Sequence, residues 1–312
     1  MKPPIELINY IKNNDNFALV IHVNPDGDAL GSMLALGEGL KAIGKVLKMY
    51  SRDGVPHYSR FLPNSDIIIQ GLPLEDSSTN LILIDCNAPK RAGINGDGFI
   101  KKLVIDHHLT EEDFGDIKWV DPSAAASGIL IYHIIKALEV DITQNIATNL
   151  YTAISVDTGT FRYQNTKADT LSIASELVSC GASPSFVAEH LYNKWSLARF
   201  NLLIKFLNSV EIYDDIAITC LTREMIEQTG AGPHDTEDIV NFSGMLETVK
   251  TSVFLKEADK DFWRGSIRST KVNVADVAAK FGGGGHKNAA GFKANSEISV
   301  LKKQLLGYLR ES

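Results

Sequence analysis

Leu103-Val104-Ile105-Asp106-His107-His108 is a short apolar run that ends in a carboxylate and two imidazoles. An aliphatic stretch with no polar alternation reads as a strand covered on both faces, the habit of a parallel sheet. The polar triplet then falls where the strand runs out, and in α/β sheets that end faces a crevice rather than a core. Outward from this stretch the same layout recurs. Residues 17–23 form a strand candidate that feeds into His22-Val23-Asn24-Pro25-Asp26-Gly27-Asp28, and residues 81–85 are four aliphatics closed by Asp85. Between them, residues 29–43 place Leu30, Met33, Leu34, Leu36, Leu40 and Ile43 at helical spacing, with Gly44 as the stop. Residues 46–50 and 67–69 read as further strands, and 127–138 and 145–156 as helices. The alternation predicts an α/β domain: a parallel sheet with helices on both faces.

The second half is organised differently. Residues 169–207 are helical in pattern, with Pro184 suited to a first turn. Strand-like runs return at 211–221, 248–256 and 262–269. A helix at 273–280, a glycine run and a helix at 300–309 follow. The pattern predicts a smaller mixed α/β domain. The expected boundaries are 1–190 for the first domain, 191–210 for a helical linker and 211–312 for the second.

The chain has 312 residues, 44% of them hydrophobic and 22% charged, ordinary values for a soluble globular protein. Its net charge of −7 argues against coating long nucleic acid through a basic face. Charge is unevenly spread, however. Residues 250–293 net +5, which leaves the remainder at −12. A basic second domain beside an acidic first one suits a phosphate-bearing substrate. Cys86, Cys180 and Cys220 show no metal-like spacing and read as reduced core thiols of a cytoplasmic protein. No run approaches the roughly 18 apolar residues of a membrane span, so no membrane partner is expected.

His22, Asp26, Asp28, Asp85, His107 and Asp157 all stand at segment ends. Each alone has a plain explanation, such as Asp26 or Asp28 capping the helix that follows. Together they are hard to produce by capping. Asp85 after four aliphatics is costly unless paired or bound to metal. Carboxylates and imidazoles without thiolate suit hard divalent ions such as Mn²⁺, Mg²⁺ or Co²⁺. The donors exceed the need of one ion, and two ions roughly 3.5–4 Å apart would use them all.

At this point the chain resembles a known family. His22-x-x-x-Asp26-x-Asp28, Leu83-Ile84-Asp85, Asp106-His107-His108 and Asp157-Thr158-Gly159 are similar to the four motifs of the DHH phosphoesterases. Phe281-Gly282-Gly283-Gly284-Gly285-His286-Lys287-Asn288-Ala289-Ala290-Gly291 resembles the signature of the DHHA1 substrate-binding domain. The motifs occur in order over nearly the whole chain, whose length is similar to that of the NrnA-like branch of bifunctional oligoribonucleases and pAp phosphatases. The resemblance implies one ion on His22, Asp26 and Asp85, and a second on Asp28, Asp85, His107 and Asp157. It implies that Asp106 orients a ligand histidine and that His108 faces the substrate. It implies that Arg268, Ser269, the Gly283, Gly284 and Gly285 amides and His286 hold a terminal phosphate. Independently, a glycine run can aim successive N–H groups at an anion, and Arg268 offers a matching fork. Arg162, five residues beyond Asp157, is a further candidate phosphate contact.

The implied reaction is two-metal hydrolysis of short oligoribonucleotides to mononucleotides, of 3′-phosphoadenosine 5′-phosphate (pAp) to AMP, or of both, with Mn²⁺ as the expected ion. The alternatives are a phosphodiesterase acting on linear or cyclic dinucleotides (pApA or c-di-AMP) and a nucleotide-binding sensor without catalysis. Homodimerisation is left open.

Overall fold

Strand β1 (Phe17–Val20) is buried along its whole length and lies inside a six-stranded sheet. The computed structural model describes residues 1–108, 113–236 and 239–311. The chain divides into two compact units, Met1–Lys194 and Trp195–Ser312.

In the first unit, helix α1 (Ile5–Asn13) precedes β1, and α2 (Gly27–Ala42) leads to β2 (Leu47–Ser51) and β3 (Ile69–Gln70). Then come β4 (Asn80–Ile84), the one-turn α3 (Pro89–Ala92), β5 (Lys102–Asp106) and β6 (Ile117–Val120). The sheet is wholly parallel, in the order β3-β2-β1-β4-β5-β6. The winding direction therefore reverses between β1 and β4, the position at which such sheets open a binding crevice beyond their carboxyl ends. The sequence pattern does not single out β6, because Lys118 interrupts its apolar run.

Helices α4 (Ser127–Ala137), α5 (Gln144–Asp157), α6 (Ala168–Ser179) and α7 (Pro184–Ala188) follow, and α7 runs into a π-helical turn at Glu189–Asn193. One face of the sheet buries Leu19, Ile82, Ile84, Leu103 and Ile105 against helices that include α1, α2, α4 and α5. The other face buries Ala18, Val20, Leu81, Leu83 and Val104 beneath Ala92 of α3 and the side chains of Ile94 and Phe99. Successive residues of each strand go to opposite faces. Both faces are covered, which is why these strands read as unbroken apolar runs.

Helices α2 and α5 approach closely because α2 is glycine-rich on that side. A Cβ at Gly31 would meet the Asn149 carbonyl oxygen at 2.4 Å, and one at Gly27 would meet Val156 Cγ2 at 2.6 Å. This crossing brings the first turn of α2 to the last turn of α5.

The second unit begins with α8 (Leu197–Asn208), in the stretch expected as a linker. Its Leu202 and Phe206 are fully buried with Leu221 and Ile239, so the helix belongs to this unit's core. The helix expected through 191–207 is interrupted, and Ser196 caps the new start by accepting from the Arg199 amide. The run at 211–221 is a hairpin of β7 (Glu211–Tyr213) and β8 (Ile216–Leu221), turning at Asp214 with φ 58°. Helix α9 (Arg223–Thr229), β9 (Thr251–Asp259), β10 (Phe262–Ser269), α10 (Val274–Ala279), β11 (Gly284–His286), β12 (Ala289–Asn295) and α11 (Ile298–Glu311) complete the unit. The sheet order is β11-β12-β10-β9-β8-β7, antiparallel except between β8 and β9. Ile218, Val253 and Leu255 pack under Val277, Leu301 and Leu305 of α10 and α11. Among the described residues, no single helix is long and apolar enough to cross a membrane.

Candidate metal centre

Three adjacent strands end at one level. Val20 is in register with Leu83, and Ile84 with Ile105. His22, Asp85 and the Asp106-His107-His108 triplet therefore leave the sheet together. Asp85 turns most sharply. Its φ of 57° is left-handed, a costly conformation for a residue with a Cβ and one that recurs at functional sites. Its amide donates to the Ile105 carbonyl at 2.9 Å, and its side chain is buried. Asp26 and Asp28 arrive on the first turn of α2, and Asp157 is the last residue of α5.

The structure brings all six expected ligands together. His22, Asp26 and Asp85 form one group of donor atoms within 4.8 Å of one another, and Asp28, His107 and Asp157 form a second. Asp85 lies between them. Its Oδ2 is 3.4 Å from His22 Nε2, and its Oδ1 is 3.6 Å from His107 Nε2. His22 Nε2 is 3.9 Å from Asp26 Oδ2. His107 Nε2 is 3.7 Å from Asp28 Oδ2 and 3.0 Å from Asp157 Oδ2. His108 also stands near Asp85, at 3.8 Å.

The surroundings fix each donor. Asp26 does two things at once. Its Oδ1 caps α2, accepting from the Asp28 and Ala29 amides at 3.0 Å each, while its Oδ2 faces His22. Asp28 is fully buried, and the start of α4 meets it. The Gly128 amide and the Ser32 hydroxyl donate to its Oδ1 at 2.9 and 3.0 Å, and the Ser127 amide donates to its Oδ2 at 2.7 Å. The positive end of the α4 dipole favours the carboxylate there. The Ser127 hydroxyl donates to Asp85 Oδ1 at 2.8 Å. His22 Nδ1 lies 2.9 Å from the Val23 carbonyl, which leaves Nε2 for the cluster. Asn165 Nδ2 donates to the carbonyls of Ala125 and Asp157, linking the loop before α4 to the end of α5.

The role expected of Asp106 requires correction. Its Oδ1 accepts from Nδ1 of His108 at 2.7 Å and from the His107 and His108 amides. The imidazole it orients is thus that of His108. The His107 ring is instead set by the Ala124 carbonyl, 3.3 Å from its Nδ1. The physical reason is local: Asp106 ends β5, and its carboxylate folds over the next two amides, bringing the second histidine within reach.

Crowded carboxylates set the electrostatics. Burial pushes Asp28 well above the usual carboxylate range, and the charges of Asp85, Asp157 and Asp26 add to it. Half-exposed Asp26 is pushed up to about 6 by desolvation and by Asp85 and Asp157. Burial opposes charge on His22, but the hydrogen bond to Asp85, the Val23 carbonyl and Asp26 carry it up to about 9. His107 likewise reaches about 9, where burial is outweighed by Asp157 and then Asp85. Burial would raise Asp85, but His22, His107 and His108 hold it below the usual range. Without cations, shared protons hold these carboxylates together.

The donor set fits hard divalent cations. It consists of carboxylates and imidazoles with no thiolate, and Asp85 belongs both to the group with His22 and Asp26 and to a further group with His107 and His108. Most of the inter-donor separations exceed a hydrogen bond and match neighbouring ligands of one ion. Asp106 Oδ2 is buried with no hydrogen-bond partner among the described residues.

The remaining expected residues are Arg162 in the first unit and Arg268, Ser269, Gly283, Gly284, Gly285 and His286 in the second. Arg162 is exposed, and its Nε donates to the Gly159 carbonyl at 2.6 Å. It follows a turn in which Gly159, Thr160 and Phe161 all have positive φ. In the second unit, Arg268 and Ser269 line a cleft of about 320 Å³ with Lys250, Ser252 and Asn288. The Ser269 hydroxyl is engaged with Thr251 and accepts from the Lys271 and Val272 amides, so it serves the turn rather than an open site. Gly284, Gly285 and His286 form the edge strand β11, paired to Gly291, Ala290 and Ala289. A Cβ at Gly283 would meet the Gly291 carbonyl oxygen at 2.2 Å, which gives that glycine a packing reason to be there.

The chain matches the DHH family N-terminal domain over residues 16–154 and the DHHA1 domain over residues 218–310. It is 34% identical to the bifunctional oligoribonuclease and PAP phosphatase NrnA of Thermus thermophilus, over 88% of this chain and 82% of that one. It is 30% identical to the Bacillus subtilis protein of the same name, over 92% and 91%. A solved structure of an exopolyphosphatase-related protein from Bacteroides fragilis superposes with a TM-score of 0.87 at 29% identity, covering 97% of this chain and 95% of that one. With both domains matched in order and this identity sustained along most of each relative, the chain belongs to the DHH/DHHA1 family.

Proposed function

We propose that the chain is a divalent-metal phosphoesterase that hydrolyses short oligoribonucleotides to mononucleotides and pAp to AMP, in the cytoplasm, with Mn²⁺ as its ion. The observation that carries this reading is Asp85, whose two oxygens face His22 and His107 on opposite sides at 3.4 and 3.6 Å. The names of the two NrnA relatives supply the substrate class.

His22, Asp26 and Asp85 would hold one cation, and Asp28, Asp85, His107 and Asp157 the other. When bound, such a pair supplies Lewis acidity to phosphoryl oxygens and lowers the pKa of water. The rest falls to the chain's own groups. Asp106 accepts a hydrogen bond from Nδ1 of His108 and so orients its ring. Nε2 of His108 then donates to a phosphoryl or leaving oxygen. The amides at the start of α4 favour the charged form of Asp28, against the burial and neighbouring charges that push it the other way. Arg268 and Lys250 receive a substrate phosphate, with the edge of β11 and His286 as further donors. Arg162 contributes through the guanidinium nitrogens that Gly159 does not use.

The test is a hydrolysis panel with Mn²⁺ on RNA dimers to pentamers, pAp, pApA and pyrophosphate. Mononucleotide and AMP release that Asp85→Ala abolishes is the expected result. Tight nucleotide binding without turnover under any divalent ion would sink the proposal and favour a sensor.

A further inference from the structure

We propose that Ser127 is a positioning residue that sets the relation between the two cation sites by tying the shared ligand Asp85 to Asp28. The inference rests on the metal-centre reading above and goes beyond it. Ser127 is fully buried at the first position of α4. Its amide donates to Asp28 Oδ2 at 2.7 Å, and its hydroxyl donates to Asp85 Oδ1 at 2.8 Å. One residue thus holds a carboxylate from each side of the cluster. Its backbone is fixed by the helix, so the two contacts are fixed relative to each other.

Among the described residues the hydroxyl makes no other hydrogen bond. The cap position of α4 is Ala126, which offers no side-chain acceptor, and the first two amides of the helix go to Asp28 instead. Ser127 Oγ is also closer to the Asp85 carboxylate than any imidazole nitrogen, which stand at 3.4, 3.6 and 3.8 Å. The serine contact is the shortest, the His22 contact is a long hydrogen bond, and the other two imidazoles stand beyond hydrogen-bond distance. A carboxylate has about four lone-pair sites. Donation from Ser127 occupies one on Oδ1 and leaves a site on each oxygen for a cation. The last torsion of an aspartate is broad and weakly preferred. Without the hydroxyl, the bridging orientation becomes one among many.

The test is Mn²⁺ titration calorimetry on the full chain, with thermal unfolding in EDTA run alongside. Wild type is expected to bind two equivalents. Ser127→Ala should weaken at least one of them by about tenfold or more, as loss of an outer-shell partner does, while unfolding in EDTA stays near wild type. The isosteric pair Ser127→Thr and Ser127→Val separates the hydroxyl from shape and serves if the alanine variant folds poorly. The threonine variant should bind at least about tenfold tighter than the valine variant. At saturating Mn²⁺ the loss should fall on kcat, with KM for the nucleotide unchanged. Two equivalents bound by Ser127→Ala at wild-type affinity, or equal affinity for the threonine and valine variants, would overturn the inference. A wild-type chain that binds no divalent ion would instead overturn the metal-centre reading.

Discussion

The buried carboxylate of Asp106 accepts a hydrogen bond from Nδ1 of His108 at 2.7 Å, while the intervening His107 turns its Nδ1 to a backbone carbonyl. The two adjacent histidines thus have different partners, which the proposed function reads as one ligand and one proton donor. Asp106→Asn should lower kcat by about 10²-fold or more, the scale of a lost acid–base partner. Cation stoichiometry should stay at the wild-type value, because the His107 ring is set by the Ala124 carbonyl and only its backbone amide meets Asp106, a bond the asparagine oxygen can still accept. Steady-state kinetics with metal titration separates the two. Loss of metal with the activity would mean that Asp106 serves the ligands instead.

Gly31→Ala tests whether the α2–α5 crossing builds the site. The new methyl would lie 2.4 Å from the Asn149 backbone oxygen, an atom that cannot swing aside. Overpacking of this kind costs about 1–3 kcal/mol. The helices must part, and Asp28 then moves from Asp157. Urea unfolding in EDTA should register the stability loss, and Mn²⁺ titration should register weaker binding beyond it. An unchanged unfolding midpoint would show that the crossing has slack.

Much of the site is legible in the sequence because it sits on backbone that the sequence dictates. Short aliphatic runs define β1, β4 and β5, and their polar ends follow. Asp26 shows why single-residue reasoning stalls, since capping and facing the cluster are both true of it, one per oxygen. Ser127 and Asn165 were out of reach. Ser127 joins residues 42 and 99 positions away and Asn165 joins one 40 positions away to one 8 away, and a serine before an apolar helix reads only as a helix start. The glycine run was legible as special but not as an edge strand, because β11 exists only through its pairing with β12.

Protons and cations should compete at the centre. In the metal-free protein, Asp26 at about 6 and the His22 and His107 imidazoles at about 9 bind protons more tightly than in the unfolded chain. The native state therefore holds more protons, and metal-free stability should fall as pH rises from about 4 to about 9. Cation binding must displace those protons, so affinity should rise over the same interval. The melting-temperature gain from Mn²⁺ is thus expected to be small at pH 5.5 and large at pH 8.5, with EDTA reversing it. A gain that shrinks with rising pH would place the ions elsewhere.

Arg268 and Ser269 are neighbours in the same cleft, yet their substitutions should behave oppositely. Arg268 is exposed on β10 and lines the cleft with Lys250, where the proposed function has its guanidinium meet a phosphate. A charge-assisted bond of this kind is worth about 1.5–3 kcal/mol. Arg268→Ala should therefore raise KM for pAp by about 10-fold to 100-fold, with Mn²⁺ binding and unfolding unchanged. The Ser269 hydroxyl is buried among Thr251, Lys250 and the amides of the following turn. Ser269→Ala strands those donors and should cost about 1–3 kcal/mol of stability, with little change in KM at a temperature where the variant is folded. Kinetics on pAp and chemical unfolding of both variants check the pair. A KM effect confined to Ser269→Ala would mean that the serine, not the arginine, meets the phosphate.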